Sequence, residues 1–202
     1  MKLDDAMVMI EQRLVKGRGA TKTQLEPYEH IQHNIAARGL RADDGGSCFG
    51  YGDASLSNED VATAAEDIQD LFACGHTVIS AIVVFDKSYL HEHGVMGFDL
   101  NYFGQDIYAD THPDIDLMEL RLAVMNGLMG LEGTFFEDVR YVASVEVSRS
   151  YVYAHIIMAD AGFGVDDARG NAQVQITDTE RVLFRRGVEA WLVDQEARNV
   201  VL

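Results

Sequence analysis

Two runs of β-branched and aromatic residues, separated by three polar positions, form the most regular hydrophobic pattern in this chain. The runs span residues 139–147 and 151–158, with Ser148, Arg149 and Ser150 between them. Val, Ile and Tyr favour strands, and a short polar interruption between two such runs is typical of a hairpin. We therefore predict two neighbouring antiparallel strands.

The second run has two different faces, because alternate residues of a strand point in opposite directions. One face is apolar and is predicted to be core; it carries Val152, Ala154, Ile156 and Met158. The other face carries Tyr151, Tyr153, His155 and Ile157. Tyrosine and histidine are common on half-exposed strands, and the same row would also suit the floor of a polar cleft. The pattern leaves both interpretations open.

Helical periodicity is clearest in three other segments. Ser57 and Asp60 predict a capped helix that runs to about Gly75. Residues 114–130 form a strongly apolar helical pattern. The last helix begins near residue 177, and its predicted buried side consists of Val182, Leu183, Val188, Trp191 and Leu192.

The remaining segments complete an α+β pattern. Residues 77–85 are almost continuously apolar, which predicts a strand buried on both faces, and Asp86 begins a short helical turn after it. Residues 4–15 fit either a helix or a strand. Polar, Gly-containing or irregular stretches predict loops at 16–23, 41–57, 95–113 and 161–170. Helices and strands are segregated, so we predict one domain over residues 1–202, with a central antiparallel sheet flanked by helices.

Charge restricts the possible partners of this domain. The chain has 202 residues, of which 16 are basic and 33 acidic, so its formal net charge is −17. Such a surface repels polyanions unless its basic residues are clustered. Two clusters occur in the sequence, namely Lys16, Arg18 and Lys22, and Arg181, Arg185 and Arg186. They would suit one nucleic-acid groove, while the acidity by itself indicates only a protein that stays in solution.

No apolar run is long enough to cross a bilayer, and the N-terminus lacks the pattern of a secretory signal. We therefore expect a cytoplasmic protein with no membrane partner. Cys48 and Cys74 lack metal-ligand spacing, so we expect both to be structural or incidental.

Histidines occur in two short segments. Pro27 predicts the start of a helix that contains His30 and His33 and stops at Gly39. These two histidines are three residues apart and share a helical face, which is compatible with metal binding but common in ordinary helices. His91 and His93 are two residues apart, so on a helix they point in different directions.

Four sequence blocks, taken in order, resemble one known family. They read ISAIVVFDKSYLHEHGV at 79–95, DLMELRLAVMNGLMGL at 116–131, YVASVEVSRSYVYAHIIMADAG at 141–162 and RRGVEAWL at 185–192. Their order and spacing resemble the MobL-type plasmid mobilisation relaxases of the HUH endonuclease superfamily, over about residues 20–196.

This resemblance implies a DNA-cleaving site on the central sheet. A tyrosine would attack one phosphodiester of single-stranded or origin DNA, and histidines on a strand would hold a divalent metal, Mg²⁺ or Mn²⁺. Tyr28 is the implied nucleophile. His155 matches one metal position, while Tyr153 and Tyr151 stand at the others. The expected DNA contacts are Lys16, Arg18, Lys22, Arg185 and Arg186, and proteins of a transfer complex are the expected further partners.

The two tyrosines leave a second interpretation open. Neutral phenols are poor ligands for Mg²⁺ or Mn²⁺. In a cleaving enzyme, His30 or His33 could supply a ligand that the strand lacks. Without a metal, the same domain would be a catalytically inactive relaxase-fold module that binds DNA or a protein partner.

Overall fold

The computed structural model describes residues 8–15, 27–41, 46–76, 78–97, 115–133, 137–147, 151–162 and 176–199. Its strands are β1 (Val8–Val15), β2 (Cys48–Gly50), β3 (Asp53–Leu56), β4 (Val78–Asp86), β5 (Val139–Val147) and β6 (Tyr151–Asp160). Its helices are α1 (Pro27–His30), which continues as a π-helical segment (Ile31–Ala36), α2 (Asn58–Ala73), α3 (Lys87–Glu92), α4 (Leu117–Met129) and α5 (Asp178–Asn199).

The strands form one six-stranded sheet in the order β1-β4-β6-β5-β2-β3. Every pairing in it is antiparallel. The predicted hairpin is confirmed as β5 and β6, which pair from Val139 with Asp160 to Val147 with Val152. The continuously apolar strand is confirmed as β4, which lies between β1 and β6. The predicted α+β fold with a central antiparallel sheet is therefore correct.

Helices cover both faces of the sheet, and each face has its own core. One face, here called the α2 face, packs against α1, the π-helical segment and α2; its core includes Ile31, Ile35, Val61, Ala65, Ile68, Val142 and Ile157. The other, the α4 face, packs against α4 and α5; its core includes Leu120, Val124, Phe184, Val188, Val152, Ala154 and Ile156. The alternation along β6 is thus confirmed. The row of Tyr151, Tyr153, His155 and Ile157 lies on the α2 face, and Ile157 belongs to the core of that face.

The segment from Pro27 to Ala36 is helical as predicted, although its second half is π-helical, and the chain turns before Gly39. Gly39 follows for a packing reason. A Cβ at this position would lie 2.4 Å from the Ser47 carbonyl oxygen and 2.7 Å from the Ser144 Cβ. Only glycine therefore allows the chain to pass this close to β5.

Helix α2 begins as its sequence predicts. The Ser57 hydroxyl accepts a hydrogen bond from the Asp60 N–H, and the Asp60 carboxylate accepts one from the Ser57 N–H. This reciprocal arrangement satisfies two backbone donors that the first helical turn leaves unpaired. The exposed polar side of the helix faces away from Val61, Ala65 and Ile68, which are buried.

Two sequence predictions are wrong, and one open alternative is resolved. Residues 41–57 are not only a loop, because β2 and β3 lie within them and β2 pairs with β5. These strands are too short to show alternation, so their pairing with a distant strand determines them. Val182 is 41% exposed instead of buried, and Phe184 occupies the core in its place. The segment at residues 8–15 is a strand.

Candidate functional site

His155 lies in the middle of the sheet, on the α2 face. In the register of the sheet it is opposite Ile82 of β4 and Ser144 of β5. Its Nε2 lies 3.4 Å from the Nε2 of His30, and the two rings meet edge to face with centroids 5.2 Å apart. The Ser80 hydroxyl oxygen lies 3.2 Å from the same His155 nitrogen. Helix α1 and the central strands therefore bring two imidazoles and a hydroxyl to one point.

His30 reaches the sheet from the last turn of α1. Its Nδ1 lies 3.4 Å from the Asn34 amide nitrogen, which can donate to it. Burial lowers the pKa of the His30 ring below its usual value, and the positive charge of Arg38 lowers it further. A lowered pKa favours the neutral imidazole, which is the form that binds a metal or accepts a proton.

Glu146 of β5 forms the second part of the site. Its carboxylate is buried; one oxygen accepts a 2.7 Å hydrogen bond from the Tyr153 hydroxyl, and the other lies 4.0 Å from His155 Nδ1. A carboxylate on the Nδ1 side favours the tautomer with a proton there, which leaves Nε2 with its lone pair toward His30. Glu146 thereby connects Tyr153 to the orientation of His155.

Tyr153 is a hydrogen-bond donor in this arrangement. Burial raises the pKa of its phenol to about 12, and the hydrogen bond and charge of Glu146 contribute to the rise. The phenol therefore stays protonated at neutral pH, which disfavours it as a metal ligand. Tyr151, the third residue of the predicted row, is the first residue of β6 and is 49% exposed.

The paired histidines fit a divalent metal by their distance. Two nitrogens that each lie about 2.1 Å from one ion are about 3.4 Å apart in a tetrahedron and about 3.0 Å apart at adjacent corners of the octahedron that Mn²⁺ prefers. The two Nε2 atoms are 3.4 Å apart, so both geometries are within a few tenths of an ångström. The same distance fits an N–H···N hydrogen bond between neutral rings. Within the described residues no group of three or more His, Cys, Asp or Glu side chains is placed to hold an ion. A metal here would therefore need water, DNA oxygen or Ser80 for its other ligands.

Tyr28, the predicted nucleophile, lies on α1 two residues before His30. Its N–H donates a 3.3 Å hydrogen bond to the Gln69 side-chain oxygen, and its ring packs half-buried against the core of the α2 face. His33 is exposed on the π-helical segment. Of the helical residues considered from the sequence, His30 is the one in contact with His155.

Of the predicted DNA contacts, the two that the structure describes do not lie at this site. Arg185 and Arg186 lie on α5, the helix that packs against the opposite face of the sheet, and Arg185 is 3.3 Å from the Glu189 carboxylate. Lys16, Arg18 and Lys22 lie outside the described residues. His91 and His93 have other partners, because His91 Nδ1 contacts the Met96 carbonyl oxygen and the His93 ring meets the Tyr89 ring edge to face.

Sequence reasoning missed three residues that shape the site: Ser80, Glu146 and Arg38. Glu146 has a detectable signal, because it is the single charged residue in the apolar run from Tyr141 to Val147. A carboxylate within a buried strand needs a partner, so it indicates a polar contact on that face. Ser80 and Arg38 have no such signal, since their positions depend on the pairing of distant segments.

A model of one protein family, described as MobL relaxases, matches residues 3–192. The chain belongs to the MobL relaxase family. The match includes His30, His155, Glu146 and Tyr28, and the family resemblance inferred from the four sequence blocks is confirmed. Membership supports a role as a relaxase in plasmid mobilisation.

No curated protein and no solved structure matches this member of the family. In the described part of the chain, no helix has the length and hydrophobicity needed to span a membrane.

Proposed function

We propose that this MobL relaxase nicks one strand of DNA at a transfer origin through attack by Tyr28. The observation that supports this most directly is the meeting of His30 and His155 on the α2 face of the central sheet, in a chain of the relaxase family. The two rings come from elements 125 residues apart in sequence. A core packing role would favour apolar side chains at such a contact, whereas a reactive centre requires polar ones.

The proposed reaction exchanges one ester for another. The Tyr28 hydroxyl gives up its proton and its oxygen forms a bond to phosphorus. The bond between phosphorus and one sugar oxygen breaks, and that oxygen takes up a proton, so one proton is lost and one gained. The energy of the phosphodiester is conserved in the tyrosine ester, so the strand can later be rejoined without a cofactor that supplies energy.

His30 and His155 are the residues that would hold a divalent metal in this reaction. A bound ion would neutralise charge on the phosphate as the new bond forms. The chain contributes the neutral form of His30 and, through Glu146, the tautomer of His155 that presents Nε2. Mg²⁺ prefers oxygen ligands, so Mn²⁺ fits an imidazole pair better than Mg²⁺.

A covalent-adduct assay tests this proposal. Wild-type protein, Mn²⁺ and single-stranded DNA bearing the transfer origin are expected to give a protein–DNA species that survives denaturing electrophoresis. Tyr28→Phe is expected to abolish the adduct, because it removes the attacking oxygen. Tyr51→Phe is the matched control, since this tyrosine is 54% exposed in the turn between β2 and β3, and it should leave the adduct intact. An adduct that persists in Tyr28→Phe would remove Tyr28 from this role.

A metal-free binding module is the second candidate function. It is favoured by Tyr153, which donates to Glu146 at a position where the family resemblance places a metal-binding histidine. The same assay separates the two functions. A module of this kind would bind the origin strand with and without Mn²⁺ and would form no adduct under either condition.

A further inference from the structure

The segment that follows the π-helical turn is fixed to the strand carrying Glu146. Strand β2 pairs with β5 only as far as Ser144, and beyond that point the Leu40 N–H donates a 2.7 Å hydrogen bond to the Val145 carbonyl oxygen. Gly39 passes against the Ser144 side chain at a distance that excludes a Cβ. Arg38 is the next residue back along the chain, so its backbone has a defined place beside Ser144 and Glu146.

Ser144 and Glu146 lie on the α2 face, opposite His155 and Tyr153 respectively in the strand register. The backbone at Arg38 therefore lies near these four residues, three of which, His155, Glu146 and Tyr153, belong to the site. Its electrostatic influence agrees with this placement, because its positive charge lowers the pKa of His30 and partly opposes the raised pKa of Tyr153.

The side chain of Arg38 is exposed. It forms no ion pair with a carboxylate in the described ranges of the chain. The nearby Glu146 carboxylate is buried and is held by the Tyr153 hydroxyl. A solvated guanidinium beside two imidazoles is suited to an anion that arrives from solution, and its planar donors match the oxygens of a phosphate.

We propose that Arg38 binds a phosphate of single-stranded DNA at the His30–His155 site. This inference rests on the proposed function, because only a DNA-nicking site requires DNA at these residues. It adds a residue that holds the strand there. It also explains how a chain with a net charge of −17 can bind a polyanion: the attraction is local.

Binding of a twelve-nucleotide oligothymidylate, followed by fluorescence anisotropy over a range of salt concentrations, tests the proposal. Arg38→Ala is expected to weaken binding about tenfold and to reduce the slope of log K against log salt by about 0.7, the value for one phosphate contact on a single strand. Arg38→Lys keeps the charge but loses the planar donor pair, so it should retain the slope and bind with intermediate affinity.

Arg140→Ala is the matched control. This substitution removes the same charge from the same face of β5 on which Glu146 lies. Arg140 is six residues from Glu146 along the strand, about 20 Å, and it pairs with Asp138 at 2.7 Å. It should leave the slope unchanged. Equal effects of the two alanine variants would overturn the proposal, because they would show a response to net charge alone. Absence of binding by the wild type would overturn it as well.

Nuclear magnetic resonance of the histidine rings adds a local readout. At a DNA concentration near the wild-type Kd, oligothymidylate should shift the ring signals of His30 and His155 in the wild type and in Arg140→Ala, and it should shift them several-fold less in Arg38→Ala. Site-specific binding without any covalent adduct would contradict the nicking function but support the role of Arg38. An adduct that forms in Arg38→Ala at the wild-type rate would support nicking and contradict that role.

Discussion

At the scale of single residues, the site depends on a buried carboxylate with two partners. Glu146 accepts a hydrogen bond from Tyr153 and faces His155 Nδ1. Tyr153, which the family resemblance places at a metal position, satisfies Glu146 with its hydroxyl. A buried acceptor that loses its donor is left with its full desolvation cost.

Tyr153→Phe is therefore expected to lower the free energy of unfolding by about 1–3 kcal/mol. Urea denaturation at pH 7 measures this change. Tyr151→Phe removes the same hydroxyl from a residue that is 49% exposed on the same strand, so its effect should stay within about 0.5 kcal/mol. Equal stabilities of the two variants would show that the Tyr153–Glu146 hydrogen bond contributes nothing net to folding.

At the scale of elements, helices α4 and α5 cover the face of the sheet opposite the site, and they approach each other closely. Gly127 and Gly187 lie at this crossing. A Cβ on Gly187 would lie 2.7 Å from the Asn126 carbonyl oxygen and 2.9 Å from the Gly127 Cα, both of which are backbone atoms. The Asn126 side chain also donates a 2.7 Å hydrogen bond to the Gly187 carbonyl oxygen. The two helices are thus held at backbone contact.

Gly187→Ala should destabilise the protein by about 1–3 kcal/mol, because rigid backbone atoms must move to admit the methyl group. The sign of the change in stability distinguishes a close helix crossing from an open helical position. At an open helical position the same substitution would stabilise the helix by up to about 1 kcal/mol. Thermal unfolding followed by circular dichroism distinguishes the two outcomes, and a raised melting temperature would contradict the close crossing.

At the scale of the whole molecule, the sequence predicts the fold better than the site. Strand β4, the β5–β6 hairpin and helix α2 are predictable because local periodicity and capping determine them. Strands β2 and β3 are not, since seven residues with little alternation become a hairpin only through pairing with β5. Register is a property of the assembled sheet, and it is register that places Ser80 and Glu146 around His155.

The contact between His30 and His155 is beyond sequence reasoning for the same reason. Each histidine can be recognised as a candidate, and the family resemblance gives His155 a role. Their meeting depends on how α1 lies across the sheet, which is decided by the burial of Ile31 and Ile35 in the core of the α2 face. The segment that positions Arg38 depends in turn on the backbone hydrogen bond from Leu40 to Val145.

Calorimetric titration with Mn²⁺ tests the central claim, that His30 and His155 form one metal-binding centre, most directly. The wild type is expected to bind a single ion with micromolar affinity, and His30→Ala and His155→Ala should each weaken this binding at least tenfold. His33→Ala removes an exposed histidine from the same helical segment and should bind as the wild type does. Wild-type affinity in His30→Ala, or no binding by the wild type, would contradict the account.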